Sequence, residues 1–332
     1  MRNNPDILKE LNMDFPLILA PMFLVSNMAM MKAGMRAGIM AVFPSLNFRK
    51  EGELAAVLDE LNTYHQENKS GNYGVNIIVQ KSNPLSAKHA KICLEKEVPF
   101  IITSLGNPKE IIEGAHAYGG KVFCDVTNLV HAKKCHDLGC DGFIAVGQGA
   151  GGHAGPNPLQ VLIPALREQF PDTPVIAAGG IATGAGLLSV QALGAIGASV
   201  GTRFIASEEA GVNDAYKNAI VDSGMDDIVM TTKLSGTPCA VISNESAKKM
   251  GLKQNAFERW MSKNPRTKKW FKTLIQIRGM KKLEKSILPN NYQKLWTAGK
   301  SSELVHEVLS CEEIVKRFKK EWEETRKDLG II

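Results

Sequence analysis

Between Phe143 and Pro158 the sequence reads FIAVGQGAGGHAGPNP, and its one titratable side chain, His153, stands among five glycines. Imidazole is the side chain whose ordinary charge change falls between pH 5 and 8. Glycines let backbone N–H groups approach a flat or anionic ligand and reach φ > 0. Four apolar or small residues, the end of a buried strand, lead into this loop. The stretch reads as a ligand cradle carrying one acid–base group.

Two other readings of nearby residues fail on their own geometry. Gly147, Gly149 and Gly152 satisfy G-x-G-x-x-G, but the dinucleotide fingerprint needs a helix opening at its third glycine and an acidic residue about 20 positions on. Here His153 to Pro158 delay any helix to Leu159, and Asp172 precedes the next strand instead of ending it. A metal site built from His131, Cys135, His136 and Cys140 meets a similar objection. On a helix, His131 and Cys135 share a face, whereas His136 lies roughly 140° away at about 100° per residue. Zinc is not expected. Cys93, Cys124, Cys239 and Cys311 are expected to pack as small hydrophobes.

The elements that must position His153 are legible as alternation. Short apolar runs at Leu17–Ala20, Ile39–Phe43, Gly74–Val79, Phe100–Thr103, Lys121–Val126, Gly142–Val146, Val175–Ala178 and Ala198–Gly201 read as strands. Helical patterns at Glu53–Glu67, Ser86–Glu97, Pro108–Ala117, Asn128–Leu138, Leu159–Gln169 and Gly184–Leu193 separate them. Near-continuous apolar strands, each followed by a helix, are what a parallel sheet covered on both faces requires. Eight of them would close a (β/α)8 TIM barrel; a doubly wound open sheet is the alternative, since a count does not show closure.

In a barrel, ligand-binding groups gather at the C-terminal ends of the strands, and the loops after the seventh and eighth strands commonly hold a phosphate. Those loops begin Gly179-Gly180-Ile181 and Gly201-Thr202-Arg203, bare backbone with one hydroxyl. Other strand ends supply Ala20, Pro21 and Met22, Asn76 and Asp125. A buried Asn76 needs a hydrogen-bond partner, which either a ring edge with N–H and C=O groups or a core carbonyl would provide.

The remaining composition is that of an ordinary soluble α/β protein. Of 332 residues, 44% are hydrophobic and 22% charged, and no apolar run approaches a membrane span. The N-terminus lacks a secretory pattern, so the expected location is cytoplasmic. After Thr202 the alternation stops. Residues 213–290 are expected to form a small, helical, basic lid inserted in a barrel made of 1–212 and 291–332, with Leu304–Phe318 and the charged stretch to Lys327 as the closing helix. Between 245 and 290, thirteen Lys and Arg face three Glu. The bland explanation is a solvated helical face; the functional one is attraction for an anionic substrate or carrier. Neither nucleic acid nor a membrane is expected as partner, and the oligomeric state is open.

Several of these stretches together resemble one family. GQGAGGHAGP, PVIAAGGIATGAGLLSVQALGAIGASVGTRF, the early APM, GVN in the third strand, and LWTAGKSSELVHEVLSCEEIVKRF near the C-terminus are similar to the nitronate monooxygenase (2-nitropropane dioxygenase) family. The resemblance implies a barrel binding flavin mononucleotide (FMN), with His153 as the active-site histidine. It implies that Ala20, Pro21, Met22, Asn76, Asp125, Gly151, Gly152, Gly179, Gly180, Gly201 and Thr202 line the flavin. Many members carry a glutamate before AGGH, where this chain has Gly149, which bears on the substrate subgroup. The implied activity is oxidation of alkyl nitronates with oxygen as acceptor. The same resemblance covers NAD(P)H-dependent reduction of enoyl thioesters on an acyl carrier or CoA. A non-catalytic flavin-binding protein is a third reading, one that would have no use for His153.

Overall fold

The computed structural model describes residues 5–331 except 69, 81–82, 235–236, 254–259, 262–273, 276–277, 280–282 and 285–294. Eight strands form a closed parallel barrel: β1 (Leu17–Leu19), β2 (Met40–Pro44), β3 (Asn72–Ile78), β4 (Phe100–Ser104), β5 (Lys121–Val126), β6 (Gly142–Val146), β8 (Val175–Ala178) and β9 (Gly197–Val200). Closure is made by β1 pairing with β9, Leu17 opposite Ala198 and Leu19 opposite Val200. This is the (β/α)8 TIM barrel expected from the alternation, and the open sheet is excluded.

Residues two apart on a strand share a face. Ile18, Met40, Val42, Phe100, Ile102, Phe123, Ile144 and Ile176 pack together inside the barrel. Their neighbours Leu17, Leu19, Ala41, Val75, Ile101, Val122, Phe143 and Val175 pack outward under the helices. The interior is filled, so nothing passes through. Helix α1 (Pro5–Glu10) and the turn after it close its N-terminal end with Ile7, Leu11 and Met13. The opposite end, where β6 opens into the His153 loop, is the mouth.

The ring of helices is α2 (Met28–Arg36), α3 (Glu53–Glu67), α4 (Ser86–Glu95), α5 (Lys109–His116), α6 (Leu129–Asp137), α7 (Leu159–Gln169), α8 (Gly184–Ala192) and, at the end of the chain, α12 (Cys311–Asp328). The closing helix starts at Cys311, not Leu304. Ser310 caps it by accepting from Glu313 N, and the Glu209 carboxylate accepts from Cys311 N at 2.9 and 3.1 Å. Residues 300–304 form a separate 3-10 turn. Gly184 lets α12 lie against the start of α8, since a Cβ there would sit 2.3 Å from Trp322 N.

The expected insert is not helical throughout. After α9 (Thr202–Ile205) in the barrel part, it holds α10 (Asp214–Val221) and α11 (Glu245–Met250), but also two strands, β10 (Ile228–Thr231) and β11 (Cys239–Ile242). IVMT and CAVI suit pairing because β-branched side chains fit a pleated surface. Leu234, Cys239, Val241, Ala247 and Leu295 give this region its own small core. Of the basic run, Arg259, Lys263, Arg266, Lys268, Lys269, Lys272, Lys281, Lys282 and Lys285 lie outside the described residues, as do Trp270 and Phe271. Glu284 is described, and it reaches Arg49 beyond β2 at 2.9 Å, which places part of the insert over the mouth. Among the described residues no helix is long and apolar enough to cross a membrane.

Candidate functional site

The loop after β6 is fastened before it reaches His153. Asn157 donates its amide to Thr127 O at 2.9 Å, while its carbonyl accepts from Gln148 N, also at 2.9 Å. Gly152 and His153 then form a two-residue strand, β7, opposite Ala240 and Cys239 of β11. The imidazole is therefore carried by an edge strand of the three-stranded sheet β10-β11-β7, and its side chain is exposed. Gly152 has φ 66°, the left-handed region that glycine reaches without a Cβ penalty.

Glycine turns pack on one another around this loop. A Cβ at Gly149 would lie 3.0 Å from Gly180 N, and one at Gly179 only 2.6 Å from Ala150 N. Gly179 and Gly180, with φ 111° and 80°, turn the chain directly after β8. The returning segment 295–299 completes the arrangement. Gly299 N donates to Thr202 Oγ1 at 2.9 Å, and a Cβ on Gly151 would meet Gly299 N at 2.8 Å. Tyr216 anchors that segment by stacking on Trp296 at 5.4 Å and donating to Thr297 O at 2.6 Å.

Gly201 is different. Its φ is −107°, and a Cβ there would make only ordinary contacts with Met22 Sδ and Ala20 Cβ, at 3.6 and 3.7 Å. The β1 and β9 ends are thus neighbours. The loop after β1 is held by Asn47, which donates to Met22 O and Ser26 O and accepts from Leu24 N, at 3.2, 2.8 and 2.9 Å. Leu24 carries φ 62°, a strained value for a leucine that Asn47 stabilises. Arg203, next to Thr202, turns away: its buried guanidinium donates to Ala206 O and Glu307 O.

The far side of the mouth is made of side chains. Asn76, Ser104 and Asp125 continue the inward rows of β3, β4 and β5, and they touch. Asn76 Nδ2 donates to Ser104 Oγ at 2.8 Å and to Ile102 O at 3.3 Å, and Ser104 Oγ donates to Asp125 Oδ2. Burial pushes the Asp125 carboxyl up to about 6, and the Ser104 hydrogen bond opposes that shift. Ser104 was not anticipated from sequence, although its two-residue spacing from Phe100 and Ile102 puts it on the inward face.

The expected site residues so fall on one end of the barrel, in two groups: Ala20, Met22, Gly151, Gly152, His153, Gly179, Gly180, Gly201 and Thr202 in contiguous loops, Asn76 and Asp125 opposite. Pro21 lies in the β1 loop between Ala20 and Met22. The residues tested for metal turn to other partners: His136 Nδ1 meets Thr173 Oγ1 at 3.2 Å, and Cys135 and Cys140 lie against the buried Cys124.

The chain matches the family model described as nitronate monooxygenase over residues 47–321. It is 27% identical over 252 residues to a (3aS,4S,5R,7aS)-5-hydroxy-7a-methyl-1-oxo-octahydro-1H-indene-4-carboxyl-CoA dehydrogenase of Mycobacterium tuberculosis, covering 75% of this chain and 69% of that one. It is 36% identical over 171 residues to a probable nitronate monooxygenase of Staphylococcus saprophyticus, about half of each chain at 48%. The structure of FabK from Thermotoga maritima superposes with a TM-score of 0.83 at 27% identity, covering 98% of this chain and 99% of that one. The chain belongs to the nitronate monooxygenase family of flavin-dependent oxidoreductases.

Proposed function

We propose that this protein is an FMN-dependent oxidoreductase that oxidises alkyl nitronates with oxygen as acceptor. The observation that carries the reading is the conjunction, at one barrel mouth, of side-chain-free turns, an amide acceptor and an exposed imidazole. The residues present fit FMN. Gly179–Gly180 and Gly201–Thr202 would hold its phosphate, and the space beside Gly201 admits a group where a Cβ would meet nothing closer than 3.6 Å. Asn76 and Asp125 would line one edge of the ring, Ala20, Pro21 and Met22 another side, and Gly151–Gly152 would let backbone come close. Bound there, the flavin supplies the redox chemistry.

His153 is the chain's own contribution to the reaction. It would take the proton α to a nitro group, or hold the nitronate anion by hydrogen bonding. The pairing of β7 with β11 fixes the backbone that presents the imidazole. A second reading, reduction of an enoyl thioester with NAD(P)H, is favoured by one finding: a relative matched over 252 residues is named for a carboxyl-CoA substrate. In that case His153 would assist protonation of the reduced carbon chain. A non-catalytic flavin-binding role leaves the exposed imidazole unexplained.

The test is anaerobic mixing of the purified protein with a preformed nitronate, with NADH, with NADPH and with an enoyl-CoA. Bleaching of the visible flavin absorption by nitronate alone supports the first reading. Bleaching by NAD(P)H, reversed by enoyl-CoA, supports the second. Release of FAD instead of FMN on denaturation, or colourless protein that takes up no FMN, would overturn the cofactor assignment.

A further inference from the structure

The Asn76 amide is not free to choose its orientation. Ile102 O, 3.3 Å from Nδ2, is a carbonyl and can only accept, so the face of the amide turned to it must be N–H2. The second N–H goes to Ser104 Oγ at 2.8 Å, and Ser104 sends its own hydrogen to Asp125. Both donors of Asn76 are thereby used inside the barrel wall, and Oδ1 is the amide atom that none of the described residues engages. The register supports this chain of bonds, because Asn76 lies opposite Ile102 and the β4 and β5 ends are adjacent.

We infer that Ser104 and Asp125 are positioning residues: acting through Ser104, Asp125 fixes the Asn76 amide so that Oδ1 accepts a hydrogen bond from an N–H edge of the bound group. The inference rests on the flavin reading only for the identity of that group, which would be the imide edge of the ring. The order of the bonds depends on Asp125 being a carboxylate. Once protonated on the oxygen facing Ser104, it donates to that hydroxyl, whose hydrogen must then find another acceptor; Asn76 can offer only Oδ1, and Ile102 O opposes that flip. The titratable groups described around Asp125 are the thiols of Cys124 and Cys135: contact with Cys135 lowers Cys124, but Cys140 and burial outweigh it and push that thiol up, while Cys124 and burial push Cys135 up, so both are neutral. β4 and β6 bring Ser104 and Ile144 to it, neither of which titrates. The shift of the carboxyl to about 6 puts the changeover in an accessible range.

The test titrates FMN into apoprotein from pH 5 to 8, using wild type, Ser104→Ala, Ser104→Thr and Asp125→Asn. At pH 7.5, Ser104→Ala should bind FMN roughly three- to tenfold more weakly, the usual worth of one hydrogen bond. Ser104→Thr keeps the hydroxyl and should restore affinity. Wild-type affinity should fall as pH drops through about 6, a step absent from Ser104→Ala and Asp125→Asn; FMN's own phosphate titrates equally in all four and cancels in the ratios. Melting curves of the apoproteins report folding, and Ser104→Thr with Asp125→Asn carries the comparison if Ser104→Ala does not fold. A second arm needs no flavin. The side-chain N–H2 signals of Asn76, assigned by their loss in Asn76→Asp, should titrate near pH 6 in wild-type apoprotein and not in Asp125→Asn. Wild type that takes up no FMN defeats the flavin reading alone, and the amide signals then decide the positioning role. Signals that stay still across pH 5 to 8, or Ser104→Ala with wild-type affinity and pH step, overturn it.

Discussion

On β3, β4 and β5 the barrel mouth presents side chains, Asn76, Ser104 and Asp125, locked to one another by hydrogen bonds. From β6 round to β1 it presents backbone, with Gly151 and Gly179 packed where a Cβ would come within 2.8 and 2.6 Å of neighbouring main chain, and Gly149 tight against Gly180. The first wall discriminates by which polar atoms it offers. The second works by what it lacks, so that a bulky, charged group can rest on main chain. A substitution on the first wall should change orientation and pH response; one on the second should change whether anything fits.

His153 stands at the outer edge of the backbone wall as its one acid–base group, and the largest effect is expected there. His153→Ala should keep the fold and bound FMN, because the side chain is exposed. Turnover of a neutral nitroalkane should fall by about 10²–10⁴, the usual worth of one positioned acid–base group. A preformed nitronate has already lost that proton and should suffer much less, which stopped-flow measurement of flavin reduction would separate. Equal rates for mutant and wild type with every accepted substrate would leave the wall without chemistry of its own.

The next effect sharpens the comparison within the backbone wall. Gly201→Ala meets only ordinary contacts at 3.6–3.7 Å, so the apoprotein should melt close to wild type while FMN affinity falls by roughly tenfold or more. Gly179→Ala must accommodate a φ of 111° and a contact at 2.6 Å with Ala150 N. It should cost about 1–3 kcal/mol of stability before any ligand is considered. Calorimetry of apoprotein and holoprotein would distinguish the two; a similar loss of stability in both variants would mean that Gly201 is structural as well.

The smallest effect belongs to the side-chain wall. Folded Asp125 titrates at about 6 rather than its ordinary 3.8, so it holds its proton more tightly folded than unfolded. Its burial as a charge therefore opposes folding above pH 6, and that penalty fades as pH falls toward 3.8. Asp125→Asn apoprotein should melt a few degrees above wild type at pH 7.5, with the gap closing by about pH 4. His65 and His89, lowered by burial, run the other way and cost stability below pH 6.5, but they are common to both proteins. A gap independent of pH would remove the carboxylate from the account.

Much of this architecture can be read from the chain, and the exceptions have physical causes. The barrel strands are legible because both of their faces are buried, which leaves runs such as FIIT and VIAA with few polar interruptions. β5, β6 and β8 begin and end where the sequence places them. The closing helix carries a local start signal in Ser310-x-x-Glu313, whereas its second cap, Glu209 on Cys311 N, lies 102 positions earlier in the chain and is not legible. β10 and β11 are short apolar runs beside a strongly basic stretch, and charge composition outweighs a four-residue pattern. For the site, glycines and His153 announce themselves by type. Ser104 does not, since a serine ending a strand is ordinary until Asn76 and Asp125 are known to flank it.

The pairing of β7 with β11 has a consequence for the order in which the protein is made. The barrel can close once β9 has been synthesised, because its last seam joins β1 to β9. The strand under His153 finds its partner only when Cys239 and Ala240 emerge, and Gly151 gains its neighbour only with Gly299. Contacts between such distant positions form slowly, because long loops must first be closed. A nascent chain stopped near residue 210 would thus hold all eight barrel strands, without the closing helix α12 and with no partner for the strand under His153. The strand that carries the histidine matures only after the barrel strands are in place.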